Sequence, residues 1–363
     1  MEKMDPHQPV KVTEFEQLAR NQITRELFEH VAAGSDDEWT LRENLAAFQR
    51  IRLLPQILRD VTSRDLSTTV LGQPVALPVL LAPIACQCRF HPQGELAVAR
   101  AAAGAGTIYA LSTGSTFSIE EVAAATQGPL WFQLYAYGNK AITQGLVKRA
   151  EASGYRALCL TVDAPITGRR EADLRNRYFY PREMLLRNLR HVGFNDLSAG
   201  LDDEQLLAFA AEKLTVALTW DDVEWLRSLT RLPLVLKGIL TKEDALRAVS
   251  CQVQAIIVSN HGGRQLDGVP ASISVLEEIA EAVAGRTEIL LDSGVRRGTD
   301  ILKALALGAK AVLIGRPYIW GLAAMGKTGV TEVLDILKQE LAIDMALAGC
   351  ARISEINRSL VRR

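Results

Sequence analysis

The hydrophobic positions of this chain fall into eight short, nearly continuous apolar runs that recur at fairly even intervals. Runs without polar alternation are typical of strands buried on both faces, as in parallel sheets that are covered by helices. Each run is followed by a stretch with the periodicity of a helix. The predicted strands are residues 77–82, 107–111, 130–134, 157–162, 232–236, 255–258, 288–291 and 311–314.

The segments between these runs are amphipathic, and helices are predicted at residues 94–103, 139–152, 242–249, 274–283 and 299–307. Eight strand–helix units are the count of a closed (β/α)8 barrel, the TIM barrel of the α/β class. An open, doubly wound sheet is the competing architecture, but it needs a glycine-rich turn after its first strand. The segment APIACQC in that place contains no glycine, which favours the barrel.

The chain predicts a single domain over residues 1–363, with additions to the barrel. Residues 11–60 have helical patterns and predict an N-terminal helical extension, preceded by a flexible tail over residues 1–10. The fourth strand-to-helix connection, about residues 171–218, is far longer than the usual length of about 2–6 residues. Because it follows a strand end directly, we expect a mobile lid over a site. A C-terminal helix is predicted at 330–347.

Composition is that of an ordinary globular protein, with 48% hydrophobic and 23% charged residues. Lys and Arg number 41 against 42 Asp and Glu, a formal net charge of −1, so no basic field exists to hold nucleic acid. The five cysteines are odd in number and show neither a CxxC motif nor paired Cys/His spacing. They indicate a reducing compartment and no metal site.

The amino-terminal sequence MEKMDPHQPVKVTEF lacks the apolar core of a secretory signal. The last residues, SLVRR, match no peroxisomal tripeptide. The longest uncharged apolar stretch, residues 75–86, contains two prolines and is shorter than the roughly 20 residues that a spanning helix needs. We therefore expect a cytoplasmic protein without a membrane segment.

Small and cationic residues follow the seventh and eighth predicted strands. The seventh is followed by Asp292-Ser293-Gly294-Val295-Arg296 and the eighth by Gly315-Arg316. In a TIM barrel these two loops often hold a phosphate. Glycines let backbone N–H groups approach a phosphate, and guanidiniums add paired donors. The pattern predicts a phosphate-bearing ligand or cofactor without specifying which one.

Polar side chains also stand at the ends of other predicted strands. The sixth strand ends in SNHGGRQLD, where two glycines separate His261 from Arg264. A histidine beside an arginine combines a candidate base with an anchor for a carboxylate. Since the carboxyl ends of barrel strands meet at one rim, polar groups from the third, fourth and fifth strand ends should join them. These groups are Tyr135, Asp163, Arg170 and Lys237.

The motifs SNHGGRQLDG, LTVDAP with GRREADLRNR, WFQLY, VLKGI and DSGVRRGTDILKALALGAKAVLIGRP together resemble the FMN-dependent L-2-hydroxy acid oxidase and dehydrogenase family. That family includes glycolate oxidase, lactate oxidase, mandelate dehydrogenase and long-chain hydroxy acid oxidase. The similarity extends from about residue 12 to residue 360, and SNHGGRQLDG is highly specific. The resemblance implies FMN as cofactor, oxidation of an L-2-hydroxy acid to a 2-oxo acid, and a homotetramer.

The resemblance also implies roles for the residues at the rim. His261 matches the base that removes the substrate hydroxyl proton while the α-hydrogen leaves as a hydride, and Asp163 matches the carboxylate that supports the resulting imidazolium. Arg264 and Arg170 match the pair that holds the substrate carboxylate.

Two further rim residues have matches in the family. Tyr135 matches the tyrosine that bonds the substrate oxygen, and Lys237 matches the lysine that stabilises the reduced flavin. The positions that match contacts to the cofactor or the turns around it are Ala82, Pro83, Ile84, Ser112, Gln133, Thr161, Lys237, Ser259, Asp292, Ser293, Gly294, Arg296, Gly315 and Arg316.

The chain departs from the glycolate oxidase pattern at four positions. His30 stands where a tyrosine contacts the substrate carboxylate, Gly114 replaces an aromatic residue, Ile84 replaces a threonine and Ser293 replaces a glycine. We therefore assign His30 and Gly114 to the substrate pocket and expect lactate or a larger 2-hydroxy acid to be favoured over glycolate. If His30 holds the carboxylate, binding should tighten as pH falls through the ordinary histidine range, about 6.5.

Dioxygen is the expected electron acceptor, with H₂O₂ as the product. One alternative keeps the same half-reaction but passes the electrons to a quinone or a protein. A second is a non-catalytic barrel that binds a phosphate ligand, although binding alone gives no reason for the base His261. A third is another FMN barrel, such as an isomerase, which would lack SNHGGRQ.

Overall fold

A computed structural model describes residues 9–178, 187–189 and 218–362 of the protein. At its centre lies a closed barrel of eight parallel strands, β4 to β11, which confirms the predicted TIM barrel. In chain order the strands are β1 (Arg52–Leu53), β2 (Thr68–Val70), β3 (Gln73–Val75), β4 (Val79–Leu81), β5 (Tyr109–Ser112), β6 (Leu130–Leu134), β7 (Ala157–Thr161), β8 (Leu234–Ile239), β9 (Ala255–Val258), β10 (Glu288–Leu291), β11 (Ala311–Ile314) and β12 (Val361–Arg362).

The apolar runs locate every barrel strand, and the sixth to eighth runs agree with the observed bounds. The fifth strand was predicted at residues 232–236, whereas β8 continues to Ile239. The prediction was too short because a run of apolar residues ends at a charged one. Lys237 in fact lies inside the strand, paired with Thr161 of β7.

Helices surround the barrel on its outer face. They are α1 (Glu14–Arg20), α2 (Arg25–Ala32), α3 (Trp39–Arg50), α4 (Gly94–Gly104), α5 (Ile119–Ala124), α6 (Lys140–Ala152), α7 (Glu171–Asn176), α8 (Trp220–Leu229), α9 (Lys242–Ser250), α10 (Ser272–Val283), α11 (Gly298–Ala306) and α12 (Arg316–Ala348). Short 3₁₀ turns lie at Gln87–Arg89, Ile353–Glu355 and Arg358–Leu360.

The last helix is longer than the sequence pattern predicts. α12 begins at Arg316, directly after β11, and is interrupted at Met325 and Gly326, where the backbone is not helical. The part after the interruption contains the predicted helix. Its apolar face is buried, as expected, at Val330, Val333, Leu334, Leu337, Leu341 and Met345.

The N-terminal extension contains α1, α2 and α3, as predicted, but its last part is not helical. Residues 52–53 form β1, which pairs antiparallel with β12 at the other end of the chain. Such a pairing joins residues about 300 positions apart, and local periodicity carries no signal for it. The extension packs on α12 through α1 and through the stacked rings of Phe28 and Trp320, whose centroids are 4.8 Å apart.

The interior of the barrel is apolar at its amino-terminal end. The hairpin of β2 and β3 closes that end, because Val70 and Val75 are buried in the same cluster as the inward-facing strand residues. The Trp131 indole N–H donates to the Gln73 side chain at 3.3 Å. The carboxyl ends of the strands are therefore the end where a ligand can approach.

After β7, residues 162–170 form a loop, and the short helix α7 follows at the start of the predicted lid. Most of the predicted mobile lid, residues 179–186 and 190–217, lies outside the described residues, as do residues 1–8 of the predicted tail. The lid and the tail therefore stay predictions. In the described part of the chain, no helix combines the length and the apolar character that crossing a membrane requires.

Candidate active site

A layer of eight residues lies above the apolar interior of the barrel, one from each strand or the position after it. Each barrel strand contributes an inward-facing apolar residue to a single buried cluster: Leu80, Ala110, Trp131, Cys159, Val235, Ile257, Leu290 and Leu313. Side chains alternate along a strand with a period of two, so the next inward positions form the layer. They are Ala82, Ser112, Gln133, Thr161, Lys237, Ser259, Asp292 and Gly315, all predicted cofactor contacts.

The predicted contact between His261 and Asp163 is present. His261 Nδ1 lies 3.0 Å from Oδ1 of Asp163. Because a carboxylate only accepts hydrogen bonds, Nδ1 carries the proton and Nε2 is left as the basic nitrogen. Burial raises the pKa of Asp163, but its interactions with His261 and Lys237 lower it by more, so the carboxyl stays ionised. Gly238 makes this approach possible, because a Cβ there would lie 2.5 Å from the Cβ of Asp163.

The turn that carries His261 is held in an unusual conformation. His261 has φ +59°, in the left-handed region, which costs a residue with a side chain about 1–3 kcal/mol. Its N–H donates to Oγ of Ser259 at 3.1 Å, and the next N–H, of Gly262, donates to Oγ of Ser293 at 3.0 Å. Asn260 exchanges side-chain hydrogen bonds with Asn44 of α3. The N-terminal extension thus helps to fix the base.

Lys237 is a buried cation inside the layer. Its Nζ lies 3.1 Å from Oδ2 of Asp292 and donates to Oγ of Ser259 at 2.9 Å. Burial lowers the pKa of Lys237, but the charges of Asp292 and Asp163 raise it by more, above its ordinary value. Ser293 donates to the other oxygen of Asp292 at 2.7 Å. The same serine therefore connects this ion pair to the His261 turn.

The two predicted substrate arginines lie on the same rim. Arg264 donates through Nη1 to the carbonyls of His30 at 2.5 Å and Ala33 at 3.1 Å. Arg170 Nε is buried and lies 3.5 Å from Oδ2 of Asp173, and among the described residues it has no hydrogen-bond partner. A cationic N–H in this state is suited to an incoming carboxylate.

Tyr135 lies among these charged groups. Burial raises the pKa of its hydroxyl above the ordinary value. The negative charge of Asp163 raises this pKa further, and the positive charges of Lys237, Arg170 and Arg264 lower it only in part. Its backbone N–H is held by Oγ1 of Thr113 at 3.1 Å. In the same part of the layer, the amide of Gln133 donates to Thr161 at 3.0 Å.

His30 is near the rim, but its contacts differ from the predicted ones. It is 3% exposed, and its ring stacks on Tyr178 with centroids 4.1 Å apart. Nδ1 lies 2.8 Å from Oδ1 of Asp173, and Nε2 faces Nη2 of Arg264 at 3.5 Å. Burial lowers the pKa of His30 to about 4, and Asp173 offsets this only in part. The expectation of a titration near pH 6.5 was wrong, because a buried imidazolium loses its hydration.

His30 should therefore have no effect on how activity varies with pH near neutrality. Its neutral form persists until pH falls towards 4. We expect kcat/KM profiles of the wild type and His30→Phe to share their apparent pKa values between about pH 5.5 and 8. Steady-state rates across that range test this. A transition near 6.5 that is present in the wild type and lost in the variant would contradict it.

Gly114, predicted to line the substrate pocket, lies two residues after the end of β5. A Cβ on it would lie 3.1 Å from the Cβ of Ala85, in the loop after β4. A side chain at this position would therefore enter the space between two loops at the mouth of the barrel. Its absence leaves that space to other groups.

The loops after β10 and β11 carry the predicted phosphate residues. Arg316 donates to the carbonyls of Val31, Gly262 and Ala33 at 2.7, 3.0 and 3.1 Å. Burial lowers the pKa of Arg316, and the nearby guanidiniums of Arg264 and Arg296 lower it further. Buried cations that destabilise one another need an anion. The turns therefore fit a phosphate group.

The glycines at these loops give the backbone close approach. Gly294 has φ +95°, and a Cβ there would lie 2.1 Å from the carbonyl oxygen of Asn44. At Gly315 a Cβ would meet only the Cδ1 of Ile84, at 3.5 Å. The layer that contains the buried cation Lys237 lies next to the turns that carry Arg296 and Arg316. These two regions fit the two parts of FMN, its ring and its phosphate.

Three residues of the site had no predicted role. Asp173 lies in the motif GRREADLRNR, and Asn260 lies in SNHGG, so both were within recognised motifs. Asn44 is on α3, far from these motifs in the chain, and only the packing of the extension brings it to the turn. In the described ranges, no group of three or more His, Cys, Asp and Glu residues could hold a metal ion.

Comparison with known proteins agrees with this geometry. A family model described as FMN-dependent dehydrogenase matches residues 19–363. An L-lactate oxidase from a Nostoc strain is 51% identical, over 97% of this chain and 98% of that protein. A peroxisomal (S)-2-hydroxyacid oxidase from Arabidopsis thaliana is 47% identical, over 98% of this chain and 97% of its own. A crystal structure of mandelate oxidase matches with a TM-score of 0.90 and 42% identity, over 98% of both chains.

These matches cover nearly the whole chain and include the barrel, the polar layer and both cationic turns. They confirm the resemblance drawn from the motifs. The chain is therefore a member of the FMN-dependent dehydrogenase family, with FMN as its cofactor.

Proposed function

We propose that this enzyme oxidises an L-2-hydroxy acid to the 2-oxo acid and transfers the two electrons to O₂, forming H₂O₂. The observation that carries the proposal is the His261–Asp163 pair on the same rim as two arginines. A base and a carboxylate anchor are what this oxidation requires of a protein. The names of the relatives, which include L-lactate oxidase and (S)-2-hydroxyacid oxidase, support both the substrate class and the oxidase activity.

Four side chains of the site bind the substrate or move its proton. Arg264 and Arg170 bind the substrate carboxylate and fix the α-carbon in place. Nε2 of His261 accepts the hydroxyl proton, and the ionised Asp163 stabilises the imidazolium that forms. When bound, FMN supplies the acceptor for the hydride that leaves the α-carbon.

The remaining polar groups adjust the charge of the site. Tyr135 donates its hydroxyl hydrogen to the substrate oxygen. Lys237, held by Asp292 and Ser259, places a permanent positive charge in the layer. Such a charge stabilises negative charge that develops during the reaction at no cost of reorganisation. We further propose that the flavin ring is faced by Ala82, Pro83, Ile84, Ser112, Gln133, Thr161, Lys237 and Ser259. The ribityl chain and phosphate are then surrounded by Asp292, Ser293, Gly294, Arg296, Gly315 and Arg316.

For the side chain of the substrate, we propose that lactate or a larger 2-hydroxy acid is favoured over glycolate. Gly114 has no side chain to confine the substrate, and the ring of His30 is stacked on Tyr178 and held by Asp173. The pocket then has room for more than a hydrogen atom on the α-carbon. Burying one or two methylenes is worth about 1–3 kcal/mol, or 10- to 200-fold in kcat/KM.

A substrate series tests this preference. We expect kcat/KM for L-lactate or 2-hydroxyoctanoate to exceed that for glycolate by at least about tenfold. The variant Gly114→Phe should lose activity on the larger acids and keep its activity on glycolate. A wild type that prefers glycolate, or a variant with an unchanged order of substrates, would contradict the open pocket.

The electron acceptor can be measured with the same substrates. Oxygen uptake with stoichiometric H₂O₂ supports the oxidase. Slow reoxidation of the reduced enzyme by O₂, together with rapid reoxidation by a quinone or a dye, would favour the alternative of a dehydrogenase.

We also propose a cytoplasmic location and a homotetramer. The five cysteines are all unpaired, which suits a reducing compartment, although one of the plant relatives is named as peroxisomal. The tetramer rests on the family resemblance, and light scattering of the purified holoenzyme measures it directly.

A further inference from the structure

The carboxylate of Asp173 lies between two groups of the substrate site. Its Oδ1 is 2.8 Å from Nδ1 of His30, and its Oδ2 is 3.5 Å from Nε of Arg170. All three side chains are largely buried, with exposures of 18% for Asp173, 4% for His30 and 15% for Arg170. An interaction between charges is stronger in such a place than at the surface.

The bond to Asp173 decides which nitrogen of His30 carries its proton. Nδ1 must donate to the carboxylate, so Nε2 has the lone pair and is an acceptor. That acceptor faces Nη2 of Arg264 at 3.5 Å, while Nη1 of the same guanidinium is held by the carbonyl of His30. With the opposite tautomer, two N–H groups would face each other. The proton position on His30 therefore affects how Arg264 is held.

We propose that Asp173 is a positioning residue that orients both substrate arginines, Arg170 by direct contact and Arg264 through the tautomer of His30. This inference rests on the proposed function, since it assigns the arginines to a substrate carboxylate. It adds a group that touches neither substrate nor cofactor. It also gives His30 a role in supporting the clamp in place of direct contact with the substrate.

A simpler role for Asp173 would be to offset the charge of the arginines, and the two roles predict effects of opposite sign. If Asp173 only balances charge, its neutralisation leaves more positive potential and an anion binds more tightly. If it orients the guanidiniums, neutralisation weakens the binding of a carboxylate despite the added positive charge. Asparagine is the right replacement, because its oxygen can accept from only one side while its NH₂ group opposes the donor on the other.

The test compares Asp173→Asn with Glu171→Gln in the FMN-loaded enzyme. Glu171 is on the same helix and pairs with Arg169 and Arg175 at the surface, so its replacement removes the same charge without touching the clamp. We expect Asp173→Asn to raise the Kd of pyruvate, followed by flavin absorbance, and the KM of L-lactate by about 10- to 100-fold. The rate of flavin reduction at saturation should change by less than about threefold. Glu171→Gln should match the wild type.

Reduction by lactamide separates orientation from general damage. The amide has no carboxylate, so Asp173→Asn should leave its slow rate unchanged. Equal losses with lactate and lactamide, tighter binding of pyruvate, or no change in either constant would each overturn the proposal. FMN content and Tm of both variants are measured alongside, because loss of the cofactor would also lower both rates equally.

The variant His30→Phe shows whether the effect on Arg264 passes through the imidazole. Phenylalanine keeps the stacking on Tyr178 and removes both nitrogens. If Asp173 acts through His30, the effects of Asp173→Asn and His30→Phe on pyruvate affinity should be less than additive in the double variant. Full additivity would show that Asp173 does not act on Arg264 through His30. Failure of the proposed function would give a different result, because no 2-hydroxy acid would then reduce the flavin of the wild type.

Discussion

Replacing His261 with alanine should leave FMN bound but slow flavin reduction by about 10²- to 10⁴-fold, the range for a lost general base. The side chain contributes its Nε2 to the reaction, while its turn is held by backbone hydrogen bonds to Ser259 and Ser293 that the substitution leaves in place. The loss should therefore appear in the chemical step and not in the colour of the protein. Anaerobic rapid mixing with L-lactate measures the rate of bleaching.

A second histidine provides the control for this experiment. His91 packs against Gly326 at the interruption of α12, and within the described residues no hydrogen bond or ion pair joins it to His261 or Asp163. His91→Ala should keep the wild-type rate of flavin reduction. If His261→Ala is also reduced at a rate near that of the wild type, the base is another group.

The Asp163 carboxylate should contribute to the same step of flavin reduction as His261. Since its pKa lies below the ordinary value, the carboxyl remains ionised through the neutral range and keeps the proton of His261 on Nδ1. Asp163→Asn would remove the charge that supports the imidazolium, so it should lower the rate in the same step as His261→Ala.

The barrel and most of the site follow from local patterns in the sequence. The carboxyl ends of barrel strands meet at one rim, so a polar residue at the end of an apolar run is a candidate for the site. Ser112, Gln133, Thr161 and Ser259 stand at such ends, and the resemblance to the family assigned them to the cofactor. Lys237 was taken for the end of the fifth strand, whereas it lies within β8.

Contacts between distant parts of the chain could not be predicted in this way. The pairing of β1 with β12 and the bond of Asn44 to Asn260 depend on how the extension packs on the barrel. The environment of His30 is the clearest case. Its position in a motif placed it near the substrate, but its tautomer and its low pKa come from Asp173, which lies 143 residues later in the chain, and from burial.

Arg264→Lys should lower kcat/KM for L-lactate by at least about 100-fold, or roughly 3 kcal/mol, mainly through KM. A guanidinium presents five N–H donors in a planar fork, and in this enzyme one edge is already used by the carbonyls of His30 and Ala33. The proposed role of this fork is to bind the substrate carboxylate with two parallel hydrogen bonds. An ammonium group on a shorter chain cannot reach the two carbonyls and also bind both carboxylate oxygens.

The preference for an acid over its amide is the measurement that isolates this contact. The wild type should reduce its flavin far faster with lactate than with lactamide, because the amide has no charge for the fork to hold. In Arg264→Lys that ratio should fall, since the rate with the acid drops while the rate with the amide changes little. Arg170→Lys should behave in the same way, because Arg170 has its Nε buried beside Asp173. Equal turnover of lactate and lactamide by the wild type would show that the carboxylate is not held by these arginines.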